Sequence, residues 1–513
     1  MKPTLYHDTR GLDAKHRPFT ETIIAGIAPG GGLFVPDALP TFTLDEILAF
    51  STWPYWRRAA AVFSRFGVDV DAARIDTLMR AAYGDQWDDT RIAPVQEVVP
   101  GTWVLELWHG PTSAFKDMAL QCMPLFFSEA IEQMRQRKLE SDDYLILVAT
   151  SGDTGKAALE GFADRPHTRI VVFYPADGVS DIQRKQMVTQ HGDNVGVFGV
   201  RGNFDDCQSA VKAAFNDPDF AEELHAAHGL KLSSANSINW GRLLPQIVYY
   251  VSAYADMVAA GGIVAGEPID VCVPTGNFGN VLGAYYAKRI GVPIGRLLVA
   301  ANENNVLSDF IATGVYDISD RRFVTTPSPS MDILISSNLE RLLHEVTHDP
   351  SLVREWLTSL AETGRFQVDK ATFGKIREQF SADYVGNDES LATVREVFRD
   401  NGYLMDPHTA VAWEVAERLH DRDPVLVVST AHWAKFGADV YKALAEIPYD
   451  EELPDGVREL SGTELLARVQ EVAGEGACVP RSLADLDERT ERFTNVVDSG
   501  REAIEQAVRG WLR

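Results

Sequence analysis

The sequence predicts an α/β protein with two open, mostly parallel sheets, an N-terminal region of mixed character and a helical C-terminal layer. Three observations carry that prediction. Residues 144–149, 169–174, 269–273 and 424–428 are near-continuous apolar runs, as strands covered on both faces require. Most such runs are followed by a short turn and a helix-like pattern, the order expected of βαβ units. The turns at two of these junctions, 150–155 and 274–280, are rich in glycine and small polar residues, a geometry that aims backbone N–H groups at an anion.

At 513 residues the chain has room for two to four domains. The pattern divides it into 1–100 (an N-terminal region), 101–265 (a smaller α/β half), 266–440 (a larger α/β half with inserted helices) and 441–513 (the helical layer). The 48 basic against 74 acidic side chains leave a formal charge of -26, which disfavours nucleic acid and anionic membrane as partners. Cys122, Cys207, Cys272 and Cys478 are far apart and form no Cys-x-x-Cys pair, so neither a disulfide framework nor a structural zinc is indicated, and no metal is expected. Residues 1–11 lack the apolar core of a signal peptide and no run has the length of a membrane span, so a cytoplasmic protein is the expectation.

In chain order, residues 27–36 are too rich in turn formers for a helix or a long strand and read as a loop. Helical periodicity follows near 44–50, 55–66 and 70–83, then strand-like alternation over 95–108. Residues 117–138 read as a helix weakened at Pro124. The run 144–149 feeds a turn and a helix over 156–163. Further strand and helix pairs fall at 195–200 with 205–215, 230–233 with 241–258, and 269–273 with 281–289. Residues 296–301 are another strand, 317–332 read as an exposed excursion, and helices dominate from there to about 420. The strand 424–428 precedes an acidic, largely helical stretch at 440–513.

The chemistry centres on Trp108-His109-Gly110-Pro111-Thr112-Ser113-Ala114-Phe115-Lys116-Asp117. A lysine between an aromatic residue and an acid, after a Gly-Pro turn and before a helix, is well placed to be held rigidly in a cleft. A buried amine loses its charge easily and can form a Schiff base, for which pyridoxal phosphate is the most plausible aldehyde. The same ten residues, taken alone, also suit a solvated lysine in a first helical turn. Other loops change the balance. Pro274-Thr275-Gly276-Asn277-Phe278-Gly279-Asn280 joins a buried strand to a helix, its glycines letting the backbone come close to a phosphate. Residues 234–242 gather amides, hydroxyls and Arg242 at a helix start, suited to a phosphate or carboxylate, or to plain N-capping.

Two rival motifs lose ground on inspection. A nucleotide-binding P-loop fails because Gly155-Lys156 is followed by Ala157 and position 150 is Thr. His344-Glu345-Val346-Thr347-His348 matches the zinc-peptidase pattern His-Glu-x-x-His, but Pro350 places the second His near a helix end and no clear third ligand follows.

The lysine stretch, the Ser151-Gly152-Asp153-Thr154-Gly155 turn and the 276–280 loop, in that order, resemble the pyridoxal-phosphate enzymes of the tryptophan-synthase-β fold type (fold type II). With residues 236–239, 302–304, 331–341, 406–411 and 429–436, the resemblance narrows to the threonine synthase family, in its longer bacterial and fungal branch. It extends to Thr9-Arg10-Gly11 and the 28–36 loop, with Gly30 standing where many members carry Asp.

The resemblance implies roles for individual residues. Lys116 would hold pyridoxal phosphate and then move protons. Gly276, Asn277, Phe278, Gly279 and Asn280 would bind the cofactor phosphate, Asp153 or a backbone group beside it would sit near the ring hydroxyl, and Thr430 would bond the pyridine nitrogen. Ser151, Gly152 and Thr154 would cradle the substrate α-carboxylate; Asn236, Ser237 and Arg242, helped by Ser113, would hold the substrate phosphate. The implied reaction turns O-phospho-L-homoserine and water into L-threonine and phosphate, carried out by a monomer or homodimer. Alternatives are a serine or threonine dehydratase on the same fold, which would not need Asn236 and Arg242, a zinc peptidase, and a non-catalytic scaffold.

Overall fold

The apolar runs become the strands of two sheets, and their pairing decides where the reactive residues end up. The structure, a computed structural model, describes residues 3–420 and 424–513. The larger sheet has six strands in the order Phe380–Tyr384, Ile294–Ala301, Ile269–Pro274, Val425–Ser429, Thr102–Glu106 and Val95–Val99. All neighbours are parallel except the last two, which form a hairpin. The smaller sheet has five parallel strands in the order Val496–Val497, Val195–Val200, Thr168–Pro175, Asp143–Ala149 and Leu230–Ser233. Every residue of Thr102–Glu106, Ile269–Pro274 and Val425–Ser429 is buried, as expected of strands covered on both faces. The helix Trp240–Ala259 runs through the apolar core beside the larger sheet, with nearly all of its positions buried. No helix among the described residues is long and apolar enough to cross a membrane.

Several expectations are corrected. The alternating stretch 95–108 is not one strand; it turns at Gly101, whose φ of 82 lies in the region that favours glycine. The helix expected over 117–138 is two helices, Asp117–Leu120 and Met123–Gln136, with Pro124 in the first turn of the second, where the N–H it lacks has no helical acceptor. Thr102–Glu106 pairs with Val425–Ser429, so it belongs to the larger sheet, and the division expected at 101–265 is crossed. The chain leaves the larger sheet at Glu106, builds four strands of the smaller sheet between 143 and 233, and returns at Ile269.

Part of the 27–36 loop is a strand: Phe34–Pro36 pairs with Leu5–Asp8 in a three-stranded antiparallel sheet completed by Arg17–Pro18. Residues 317–332 are only partly exposed. Asn302 Nδ2 donates to Thr326 Oγ1 and to Asp332 Oδ1, both at 2.8 Å, and Thr326, Ser328, Met331 and Asp332 are buried. Polar composition there reflects an internal hydrogen-bond network, not solvent. The C-terminal layer is not merely peripheral: Val496–Val497 extends the smaller sheet, and Ile504 and Val508 of the helix Arg501–Trp511 are buried with Phe198 and Val211.

Candidate active site

Lys116 sits on a loop that leaves the larger sheet and folds back onto it. Leu107 N donates to Ser429 O at 3.0 Å, Phe115 N to Thr430 O at 2.7 Å, and His432 N to Ser113 O at 3.1 Å. Asp117 closes the loop by accepting from Thr112 N (2.8 Å) and Thr112 Oγ1 (2.7 Å). A Cβ on Gly110 would stand 2.5 Å from Asp117 Oδ2, so the turn requires glycine there. Burial raises Asp117 to about 7, against the pull of the Thr112 bonds. Lys116 itself is half-buried, with Nζ 4.9 Å from the Phe115 ring centroid. Burial lowers its pKa to about 8; Asp153 works against that shift, while Arg242 and Lys435 add to it.

The turn after Asp143–Ala149 is built on Thr150 Oγ1, which accepts from Gly152 N at 3.0 Å and Gly155 N at 2.8 Å. Gly152 has φ 130, and a Cβ there would lie 2.5 Å from the Gln183 side chain. Ser151 and Thr154 flank it half-buried. Asp153 begins the helix Asp153–Phe162 and is buried. It accepts from Gln183 Nε2 at 2.9 Å and Ser330 Oγ at 3.2 Å and pairs with Lys435 Nζ at 3.0 Å. Burial alone would raise its pKa, but Lys435, Lys116 and the Gln183 bond hold it well below the usual carboxylate range.

Lys435 is a site residue that sequence reasoning did not single out. It is fully buried and also donates to Thr112 O (2.9 Å) and Gln186 Oε1 (2.8 Å), tying the lysine loop to the Asp153 helix. Its signal was present: it is the one Lys, Arg, Asp or Glu in residues 424–438, an otherwise uncharged stretch after a buried strand. Ser330 and Gln183 were also missed, and neither carries a local mark.

The 276–280 loop passes through Phe278, buried and left-handed at φ 64, into the helix Gly279–Arg289. Its carbonyls are held from one side: Ser336 Oγ donates to Gly276 O at 2.8 Å, and Asn338 N to Asn277 O at 3.1 Å. The N–H groups of the first turn have no intrahelical acceptor. A Cβ on Gly276 would lie 3.1 Å from Ser330 O. Asn280 Oδ1 accepts from the Tyr249 and Tyr250 hydroxyls, both at 2.6 Å, while its buried Nδ2 has no partner. Thr430, buried, follows the strand Val425–Ser429 beside the lysine loop.

At the start of Trp240–Ala259 the N-cap is Asn239, which accepts from Gly241 N at 2.9 Å and donates to Ile23 O at 2.7 Å. Capping therefore occupies Asn239, not Arg242. The Arg242 guanidinium is buried, donates through Nη1 to Ala235 O at 2.9 Å, and leaves Nε without a partner. Burial lowers its pKa to about 10. Ser237 is half-buried and Asn236 exposed. Ser337 Oγ lies 3.4 Å from Ser237 Oγ and donates to Asn277 Oδ1 at 3.0 Å, joining this corner to the 276–280 loop. Ser113 is buried, its Oγ 2.9 Å from Ser482 Oγ of the C-terminal layer.

The His-Glu-x-x-His segment is not arranged as a peptidase. His348 has left the helix Leu339–Thr347 at φ 53, its ring lies 6.4 Å from that of His344 and perpendicular to it, and Glu345 accepts from the Tyr286 hydroxyl at 2.9 Å.

Residues 90–431 match the family profile described as pyridoxal-phosphate dependent enzyme, and residues 5–83 and 409–508 match the threonine synthase N-terminal and C-terminal profiles. Threonine synthase of Pseudomonas aeruginosa is 36% identical over 493 residues, covering 95% of each chain. This chain belongs to the threonine synthase family. The crystal structure of pyridoxal-phosphate-bound threonine synthase from Brucella melitensis has a TM-score of 0.85 at 36% identity, covering 99% of this chain and 100% of that one. Threonine synthase-like 1 of Homo sapiens is 45% identical over 436 residues, 83% of this chain, and the chain spans 58% of that relative's length.

Fold type II and pyridoxal phosphate follow for this threonine synthase family member, as the motifs led us to expect. Its residues suit the cofactor: an amine with a lowered pKa, a backbone approach at Gly276, and a buried Asn280 Nδ2 in want of a partner.

Proposed function

We propose that the chain converts O-phospho-L-homoserine and water into L-threonine and inorganic phosphate, as a carbon–oxygen lyase acting on phosphates. The observation that carries this reading is Arg242, a buried guanidinium with an unpartnered Nε whose charge is felt by the Lys116 amine. A dehydratase has no need of such an anion receptor. When bound at Lys116, pyridoxal phosphate supplies an electron sink that acidifies the substrate Cα–H and then Cβ–H.

In this reading residues 276–280 bind the cofactor phosphate and the Thr430 hydroxyl orients the pyridine nitrogen. Asp153, its carboxylate fixed by Lys435 and Gln183, would face the ring hydroxyl of the bound cofactor. Ser151, Gly152 and Thr154 hold the substrate α-carboxylate. Lys116 removes the Cα proton and moves protons thereafter. Arg242, Asn236, Ser237 and Ser113 hold the phosphate at Cγ, and after it leaves they keep it near Cβ, where it serves as base for the incoming water.

Purified protein supplied with O-phospho-L-homoserine is assayed for phosphate and threonine in parallel. Equal amounts of both are expected. Lys116→Ala loses the visible absorption band and turnover together. Arg242→Ala keeps the band and loses roughly a hundredfold in turnover, the scale of a charge-assisted contact. Phosphate without threonine, or unchanged turnover in Arg242→Ala, overturns the reading, and faster turnover of L-threonine itself favours a dehydratase.

A further inference from the structure

The N-terminal sheet gathers two histidines and an acid at one corner. His7 lies in the strand Leu5–Asp8, His16 immediately precedes Arg17–Pro18, and Asp37 immediately follows Phe34–Pro36. Register places Tyr6 opposite both Arg17 and Pro36, which brings the three side chains together. The Asp37 carboxylate meets His7 Nδ1 at 2.7 Å and His16 Nδ1 at 2.7 and 2.9 Å, and one ligating atom from each residue lies within 4.8 Å of the others. Two imidazoles thus aim the same ring nitrogen at one carboxylate.

Behind them, His344 Nε2 stands 3.3 Å from His7 Nε2, and His344 is buried. A cleft of about 460 Å³ opens beside the corner, lined among others by His7, Asp37, Arg289, His344, Glu345 and His348.

We propose that His7, His16 and Asp37 bind a divalent transition-metal ion, with His344 as the outer hydrogen-bond partner that orients the His7 ring. A ligand set of two imidazoles and one carboxylate selects Zn²⁺, Co²⁺, Ni²⁺ or Cu²⁺ over Mg²⁺ and Ca²⁺, which want oxygen. Bonds of about 2.0–2.1 Å in a tetrahedron put ligand atoms roughly 3.3 Å apart, so the present contacts need to open by about half an ångström. Side chains that keep 25%, 49% and 34% of their exposure for His7, His16 and Asp37 rotate that far without disturbing the core.

With Nδ1 on the metal, each imidazole carries its single ring proton on Nε2, and that of His7 donates to His344 Nε2. The cleft leaves the fourth position open to water. The His344 half of the His-Glu-x-x-His segment thereby serves a metal from outside its coordination shell, and His348 takes no part.

The helix bearing His344 also holds the N-terminal sheet and the phosphate loop. Arg341 Nε donates to Phe34 O at 2.9 Å, and Asn338, its N-cap residue, bonds Asn277 O. An ion at this corner therefore fixes the His7 ring, through which the N-terminal sheet meets the helix behind residues 276–280.

The test uses the full chain with its cofactor, stripped of metal by a chelator and dialysed against Zn²⁺, then separately against Co²⁺. One Zn²⁺ per chain is expected, with affinity falling at least about tenfold in both His16→Ala and Asp37→Asn. His16 is largely exposed, so its replacement leaves folding intact. The Co²⁺ form should show ligand-field bands without thiolate charge transfer, which excludes Cys478 as the ligand. Zn²⁺ should raise the thermal midpoint of the parent but not of His16→Ala. Binding unchanged in both variants, thiolate charge transfer, or no bound metal overturns the proposal.

Discussion

The Lys116 amine is placed where its proton is easily lost, and this has a measurable consequence. Burial brings its pKa from 10.5 to about 8, so the neutral amine that attacks an aldehyde predominates above about 8. The rate at which cofactor-free protein takes up pyridoxal phosphate should rise with pH through about 8 and then level, where an ordinary lysine would keep climbing past 10; stopped-flow absorbance reads this directly. The sign for stability agrees. Between about 8 and 10.5 the unfolded chain binds the extra proton, so the cofactor-free protein loses stability as pH falls through that window.

Asp153 shifts in the same direction in a lower window: its lowered pKa contributes stability above the ordinary value of 3.8 that is lost as pH falls below it. Lys435→Met strands this buried carboxylate and should cost about 3–5 kcal/mol in urea denaturation, with part regained in Lys435→Met/Asp153→Asn. The loop that positions Lys116 was readable because its Gly110 turn and the Asp117–Thr112 bonds lie within eight residues of one another. Ser330 and Gln183 were not, because each reaches Asp153 from a separate segment and no window contains the contact; Lys435 carried a compositional mark, but nothing local tied it to Asp153.

Between elements, the tightest approach near the site is at Gly161. The helix Asp153–Phe162 crosses the one-turn helix Asp117–Leu120 so closely that a Cβ on Gly161 would lie 1.9 Å from Leu120 O. Gly161→Ala should destabilise the protein by about 1–3 kcal/mol and weaken cofactor binding, since the two helices begin beside Lys116 and at Asp153. Gly374, in the helix Lys370–Gln379, has nothing within 4 Å of an added Cβ, and Gly374→Ala should stabilise by about 0.5–1 kcal/mol. Thermal unfolding of both variants, with cofactor titration of the first, checks the pair.

The buried strands were legible as apolar runs, and Leu230–Ser233 and Val195–Val200 fall where the pattern placed them. Phe380–Tyr384 was not, because on the edge of its sheet it buries only Phe380 and reads as part of the helical stretch around it. Phe34–Pro36 was masked by the turn formers that precede it.

Across the whole molecule, neither sheet is continuous in the chain. The smaller one is finished by Val496–Val497 and covered by the helix Arg501–Trp511, which buries Ile504 and Val508 against Phe198 and Val211. Removing residues 501–513 should lower the thermal midpoint and raise binding of a hydrophobic dye; an unchanged midpoint would mean the last helix is dispensable. Which sheet a strand joins was the least legible feature, because the partner of Thr102–Glu106 lies at Val425–Ser429 and only their pairing reveals it.

That pairing also sets a timetable. As the chain emerges from the ribosome, strands between Asp143 and Ser233 can associate early, but Thr102 must wait for Val425 before its segment has a neighbour on that side. The loop that carries Lys116 is anchored to Thr430 and Ala431 and so acquires its final position only near the end of synthesis. A nascent chain halted before residue 425 should therefore be unable to capture the vitamin-derived aldehyde, however much of it has already folded.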